Sequence, residues 1–351
     1  MSSSQHSWKD FNVQEPQQAL ESPFPSETVF ANEAGEAMEE LALSSPEFQL
    51  ESPFPIEPEA EGFDDLSHEF LVDREIIAAD TRSLVRNTLA VPYRWICSLD
   101  IYFRDPDERY ARKLRHGTGT LISPRHVLTA AHVLQPKGGR VPAAEVIVAP
   151  ARNGRDNPFG TMRAAKWRAS RWWQRSGWKR DYDYALITLK KRISFRKNPA
   201  LGERPLAFWG SQRMGAGTYL KRLNPKKLNG RTVYIAGYPG DKCGTRPLAG
   251  RLCPTGLEAS TLWRGRGRLM DVELKERLMR HTVDTFKGQS GAPVWIRYKH
   301  RRYMVGIHVA PATYESREDE VLPTSNYAVR ITRSLLRQIY AWMRSDYREM
   351  D

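Results

Sequence analysis

Three segments of this 351-residue chain carry the residue types that acyl-transfer chemistry needs. Gly288-Gln289-Ser290-Gly291-Ala292-Pro293 offers a hydroxyl in a glycine-flanked turn, followed at once by the apolar run Ala292–Ile296. Val127-Leu128-Thr129-Ala130-Ala131-His132 offers an imidazole at a corner of small residues. Asp181-Tyr182-Asp183-Tyr184-Ala185-Leu186-Ile187 offers a carboxylate: Asp183 directly precedes an apolar strand that can bury it, and Asp181 reads as a turn acid. A hydroxyl nucleophile needs a base to take its proton and a buried acid to fix the tautomer of that base. It also needs backbone N–H groups aimed at the developing oxyanion, and glycines allow the tight turn that converges them. His132, Asp183 and Ser290 are therefore the candidate triad. Gly288 and Ser290 are the candidates for the oxyanion hole. The other histidines considered, His6, His68, His116, His126 and His300, lie in polar surroundings and read as structural.

These residues must be held by strands. Apolar and alternating runs bounded by Gly, Pro and Asn predict strands at Tyr93–Phe103, Gly117–Ile122, Glu145–Val148, Tyr184–Leu189, Thr232–Ala236, Ala292–Tyr298 and Tyr303–His308. A further short strand and turn lead into the Ala-Ala-His corner. Many short strands with turns between them argue for an all-β barrel or sandwich. The chain closes differently: Leu335, Leu336, Ile339, Tyr340 and Met343 recur at helical spacing. Arg333, Arg337 and Arg344 would form the solvated face of that helix.

The three chemical segments, in the order His, Asp, Ser and 51 and 107 residues apart, resemble trypsin-like peptidases. The likeness is to the bacterial glutamyl endopeptidase family in particular. DTRSLVRNTLAVPYRWIC at 80–97, GTGTLISPRHVLTAAHV at 117–133, DYDYALITL at 181–189, GYPGDK at 237–242 and DTFKGQSGAPVW at 284–295 carry it. The resemblance spans about residues 80–345 and implies a chymotrypsin-like double β-barrel with the triad in the cleft between barrels. It also implies a pocket for a Glu side chain. Thr285 lies five residues before Ser290, and His308 stands in a Gly-Ile-His run after it. A hydroxyl and an imidazole edge both donate to a carboxylate. Two features depart from that pattern. Val309-Ala310-Pro311 follows His308 where the family often has an aromatic and glycines. Asp284, six residues before Ser290, occupies an offset from which an acid selects Arg or Lys in the wider class. Glu preference and Arg/Lys preference both stay open on the sequence. The expected substrates are proteins or peptides. A protease-fold binding or effector protein is the rival from another class, and the complete triad disfavours it.

Charge divides the chain. Residues 1–70 hold 16 acids and one base, Lys9, a net of −15, while residues 71–351 have a net of +28. The six residues LESPFP occur at 20–25 and again at 50–55. So acidic, Pro-rich and aliphatic-poor a segment reads as a disordered leader or pro-segment. The expected organisation is a leader over 1–75 and a peptidase domain over 76–351. The +28 body would attract acidic ligands at long range and could hold the leader electrostatically. Trp167, Trp172, Trp173 and Trp178 interleave with Arg163, Lys166, Arg168, Arg171 and Arg175 in a pattern open to nucleic-acid stacking. Related proteases carry an aromatic segment at this place, so no nucleic-acid partner is expected. No cofactor is expected, and no metal-ligand spacing is present. Of the three cysteines, Cys97, Cys243 and Cys253, the last two form the candidate disulfide. No run of about 18 apolar residues predicts a membrane span. The start lacks a basic region followed by an apolar run, which predicts export by a non-standard route after cytoplasmic synthesis.

Overall fold

The computed structural model describes residues 74–77, 79–104, 112–138, 141–202, 204–211, 218–243, 246–247, 259–270, 272, 277–317 and 320–350. The leader lies outside the described residues. So does the candidate Cys243–Cys253 pair, since neither Cys253 nor the Cys243 side chain is described. Cys97 is a free, buried thiol, and burial pushes its pKa up.

The described chain begins with two short strands, β1 (Arg74–Glu75) and β2 (Ser83–Leu84). Six strands then build the first barrel: β3 (Ile96–Arg104), β4 (Arg112–Leu121), β5 (His126–Thr129), β6 (Glu145–Pro150), β7 (Met162–Ala169) and β8 (Ala185–Leu189). They close in the order β3-β4-β5-β8-β7-β6. A one-turn helix α1 (Ala131–Leu134) follows β5, and α2 (Arg171–Arg175) follows β7. β5 and β8 are buried along their whole length, so neither shows an alternating pattern.

The second half holds β9 (Thr218–Leu220), β10 (Thr232–Gly237), the small hairpin β11 (Lys242–Cys243) and β12 (Arg246–Pro247), β13 (Trp263–Met270), β14 (Leu278–His281), β15 (Thr285–Phe286), β16 (Pro293–Tyr298), β17 (Arg301–Arg317) and β18 (Glu320–Arg330). Six of these, β10-β16-β17-β18-β14-β13, close into a second barrel through the β10–β13 pairing. Its core packs Val233, Ile235, Leu269, Met279, Val283, Val294, Ile296 and Val305. The all-β double barrel expected from the motifs is what the chain forms.

Some elements differ from expectation. Tyr93–Trp95 is a 3-10 turn, and the strand starts at Ile96. β7, β13, β14 and β18 were not expected. In β13 the outward positions are Arg264, Arg266 and Arg268, so its sequence lacks an apolar signature.

The chain ends in α3 (Arg333–Met350). Leu335, Leu336, Ile339 and Met343 are buried, while Arg333, Arg337 and Arg344 face solvent as predicted. An ion cluster docks this helix on the first barrel. The Asp346 side chain, 0 % exposed, receives Lys166 Nζ at 2.8 Å, Arg168 Nη1 and Thr188 Oγ1 at 2.5 Å. His126, expected in polar surroundings, is fully buried beneath the helix. Its Nδ1 meets Ser123 Oγ at 2.6 Å, and its Nε2 lies 3.3 Å from Asp346 Oδ2, in ion-pair reach but off a hydrogen-bond line. Two cations of the Trp/Arg stretch are thus engaged with the terminal helix. Trp167 and Trp173 each donate Nε1–H to a barrel carbonyl, Ala143 O and Gln135 O.

Burial alone would raise the Asp346 pKa. The nearby His126 and the bonds from Lys166, Thr188 and Arg168 outweigh burial and hold it well below the ordinary range. Its contribution to stability is therefore full above its unfolded value of about 3.9 and is lost as pH falls toward the folded pKa. Burial also depresses His126, so stability starts to fall below about pH 6.5, where only the unfolded imidazole takes up a proton. Asp346→Asn is expected to cost about 3 kcal/mol at neutral pH, the low end for breaking a buried pair, because its cationic partners are partly exposed. In urea denaturation the gap between wild type and variant is expected to narrow below about pH 4. A gap that stays constant with pH would contradict the cluster as the anchor of α3.

Candidate active site

The β5–β8 register pairs Thr129 with Ala185. His132 lies three residues beyond the first and Asp183 two residues before the second, so both emerge at one end of the barrel. Asp183 is 3 % exposed in its side chain and His132 29 %. Asp183 Oδ1 accepts the His132 backbone N–H at 2.8 Å, and Oδ2 meets His132 Nδ1 at 2.7 Å. An ionised carboxylate only accepts, so Nδ1 carries a proton and the neutral ring keeps its lone pair on Nε2. That is the tautomer of a general base.

Ser290 sits in the turn between β15 and β16. The turn needs glycine at two places. Gly288 has φ +94°, and a Cβ there would meet Tyr238 O at 2.4 Å. Gly291 has φ +88°, and a Cβ would meet Thr118 O at 2.1 Å, Thr129 Oγ1 at 2.2 Å and Ala130 N at 3.0 Å. The Ser290 turn thus presses directly on the corner that delivers His132. Thr118 of β4 grips the turn, donating its N–H to Ser290 O at 2.9 Å and its Oγ1–H to Gly288 O at 2.8 Å. Gln289 N–H donates to Phe286 O at 3.0 Å, and Gly291 N–H to His308 O at 2.8 Å. Among the described residues, neither the N–H of Gly288 nor that of Ser290 donates to a protein acceptor. Two donors flanking a serine hydroxyl, with their carbonyls tied down, are what an oxyanion requires.

Thr285 and His308 are both fully buried. Sequence reasoning missed their neighbour His281, also fully buried. Val283 N–H donates to His281 Nδ1 at 3.2 Å, and His281 Nε2 lies 3.3 Å from His308 Nδ1. Burial, then the nearby His308, hold the His281 pKa well below its usual value, so its ring is neutral. An amide can only donate, so His281 carries its proton on Nε2 and passes it toward His308 Nδ1. His308 is left with its own proton on Nε2, as a hydrogen-bond donor. The available signal was the alternation of β14, which puts Met279 and His281 on its inward face.

Asp284 goes elsewhere. Its Oδ1 accepts Ile77 N–H at 2.8 Å, and its Oδ2 accepts Thr81 N–H at 3.0 Å and Thr81 Oγ1–H at 2.5 Å. Both oxygens are engaged by the segment before β2. The reading in which Asp284 selects Arg or Lys does not fit this placement. Among the described residues, no group of three or more His, Cys, Asp or Glu side chains is gathered as metal ligands would be.

Two closed barrels with this arrangement define the trypsin-like class of serine proteases. The trypsin-like peptidase domain family matches residues 117–307, more than half of the chain, and the chain belongs to that family. A glutamyl endopeptidase of Bacillus licheniformis is 27 % identical over 277 residues, 78 % of this chain and 70 % of that one. A Bacillus subtilis protein named extracellular metalloprotease is 24 % identical over 271 residues, 76 % of this chain and 69 % of that one. The solved structure of a Glu endopeptidase in complex with MPD superposes with a TM-score of 0.53 at 23 % identity, covering 76 % of this chain and 98 % of that one. That likeness concerns the fold. The chain is thus a trypsin-like serine protease whose substrates are peptides or proteins.

The Gly291 contacts make a direct prediction. Gly291→Ala meets backbone atoms that cannot yield and adds strain of about 1–3 kcal/mol from its positive φ. It is expected to lower both the urea midpoint and peptidase turnover. Wild-type values for both would contradict the described seating of the turn.

Proposed function

We propose that this protein is a serine endopeptidase that cuts after Glu, with Ser290 as nucleophile, His132 as base and Asp183 as the acid that orients it. Ser290 Oγ attacks the scissile carbonyl carbon while its proton passes to His132 Nε2. The carbonyl oxygen becomes an oxyanion that accepts from the N–H groups of Gly288 and Ser290. The C–N bond then breaks, His132 returns the proton to the leaving amine, and the acyl group stays on Ser290. Water, deprotonated by His132, repeats the cycle and frees the acid. The observation that carries this reading is the double engagement of His132 by Asp183, which leaves Nε2 as the basic nitrogen.

Glu at P1 draws support from the Bacillus licheniformis relative of that name and from His308. A histidine relay that leaves an Nε2–H on His308 suits a ligand that only accepts, such as a carboxylate. Thr285 offers a second donor. The commitment of Asp284 to Ile77 and Thr81 removes the competing attraction for a cation. The body's net positive charge adds long-range attraction for acidic substrates. Extracellular action is proposed by analogy with the relative named for it. Among the described residues no helix is long and apolar enough to cross a membrane.

Cleavage-site profiling on a peptide library tests both levels. Ser290→Ala is expected to lower turnover by about 10⁶. His308→Ala or Thr285→Val is expected to cut cleavage after Glu by about 10- to 150-fold, the worth of one bond to a charged group. Activity in Ser290→Ala within tenfold of wild type would overturn the nucleophile assignment. Cleavage after Arg or Lys would overturn the Glu assignment alone.

The acidic residues 1–75 are proposed to be a removable, inhibitory leader, dense in the glutamates such an enzyme would cut. A chain starting at Ile76 is expected to outrun the full-length protein on one Glu peptide at low salt, and the gap is expected to shrink at high salt. Equal rates at both salts would refute inhibition by the leader.

A further inference from the structure

Two stretches that the sequence singles out take no part in the chemistry above: Asp80-Thr81-Arg82 and the Gly237–Lys242 turn. Both converge beneath the Ser290 turn. The Arg82 side chain is 0 % exposed. Its Nε and Nη2 donate to Asp80 Oδ1 and Oδ2, each at 2.8 Å. Its Nη1 and Nη2 also donate to Asp241 Oδ1 and Oδ2 at 3.1 and 2.5 Å. Nη1 reaches a third partner, Gln289 Oε1, at 3.3 Å. Lys242 Nζ lies 2.8 Å from Asp80 Oδ2, so two carboxylates face two cations and the cluster is balanced in charge. A planar guanidinium with five donors can span these three groups; an ammonium on a flexible stem cannot.

Gln289 is the link to chemistry. It is fully buried and lies between Gly288 and Ser290, the two residues whose N–H groups stay undonated. Its Oε1 accepts Phe286 N–H at 3.0 Å as well as Arg82. Its backbone N–H belongs to the peptide plane that follows Gly288, and its C=O to the plane that carries the Ser290 N–H. The Gly288 N–H belongs to the peptide plane before it, inside the Phe286–Gln289 turn that Gln289 closes with its side chain and its own N–H on Phe286, so fixing Gln289 restrains both the Ser290 peptide and that turn. The segment holding Arg82 is itself strapped along the loop. β1 pairs with β15, and Ile77 and Thr81 bind Asp284.

We infer that Arg82 is a positioning residue for catalysis: through Gln289 it holds the Gly288 and Ser290 N–H groups in the geometry that receives the oxyanion. The inference rests on the reading of Ser290 as nucleophile. It makes the strap over residues 77–84 a working part of the active site.

Two variants test it. Arg82→Ala removes the guanidinium. Gln289→Met removes Oε1, the acceptor of both Arg82 and Phe286 N–H, and leaves the charged cluster whole, so it remains decisive if the first variant does not fold. For each, kcat and KM are measured on a Glu-containing peptide, per active site counted by phosphonate labelling of Ser290. Both variants are expected to lose about 10- to 100-fold in kcat, the scale of a small misplacement of catalytic groups, with KM little changed. Guanidinium ion, added far below unfolding concentrations, is expected to restore kcat in Arg82→Ala and not in Gln289→Met. Wild-type kcat per labelled site in Gln289→Met would overturn the inference and reduce the cluster to a structural brace. A wild-type enzyme that takes no label at Ser290 would overturn the nucleophile reading, and this inference with it.

Discussion

Thr118 holds the nucleophile turn of the second barrel with its main-chain N–H and its hydroxyl, and the same hydroxyl accepts Tyr238 N–H at 3.0 Å. Its carbonyl in turn accepts Thr129 Oγ1–H at 2.7 Å, three residues before His132. One residue of β4 therefore fixes Ser290, the Gly237–Lys242 turn and the histidine corner against one another. His132 and Ser290 come from different barrels. Their mutual placement is set by a few hydrogen bonds and by the missing side chain at Gly291. A displacement of even about 1 Å between such groups costs on the order of 10² in rate.

Around this contact the chain distributes its paired carboxylates to separate tasks. Asp183 orients the imidazole. Asp284 holds the strap before β2. Asp80 and Asp241 share Arg82, and Asp346 docks the terminal helix. Each has at least one donor or cation in contact, as burial of charge demands. None of the last four is left to attract a cationic substrate side chain. His281, neutral through burial, lies against His308 Nδ1, and His308 and Thr285 are both fully buried. The arrangement separates the acid that binds His132 from acids that hold its surroundings.

Much of this was legible in the residues. His132, Asp183 and Ser290 each stand where a turn motif meets an apolar run, so local pattern and chemistry coincide. The terminal helix announced itself by its spacing. The missed pieces share a cause: their meaning lies in distant contacts. Asp284 reads as a pocket acid until Ile77 and Thr81, more than 200 residues away, occupy it. His126 sits in a polar-looking stretch and is covered only by α3. β13 hides because Arg264, Arg266 and Arg268 face outward and its inward glycines pack tightly on Val283 and Thr282. Arg82 lies within a motif, yet nothing in its neighbours along the chain points to Gln289.

The central claim is that one site joins Ser290, two backbone donors and a histidine-based carboxylate pocket. The most direct measurement is a crystal structure of the wild-type protein with a peptidyl phosphonate that ends in a Glu side chain. The account predicts a covalent bond to Ser290 Oγ and a phosphonyl oxygen about 2.7–3.1 Å from the Gly288 and Ser290 nitrogens. It also predicts the Glu carboxylate on His308 Nε2. An adduct whose carboxylate points to solvent, or a phosphonyl oxygen out of reach of both nitrogens, would contradict it.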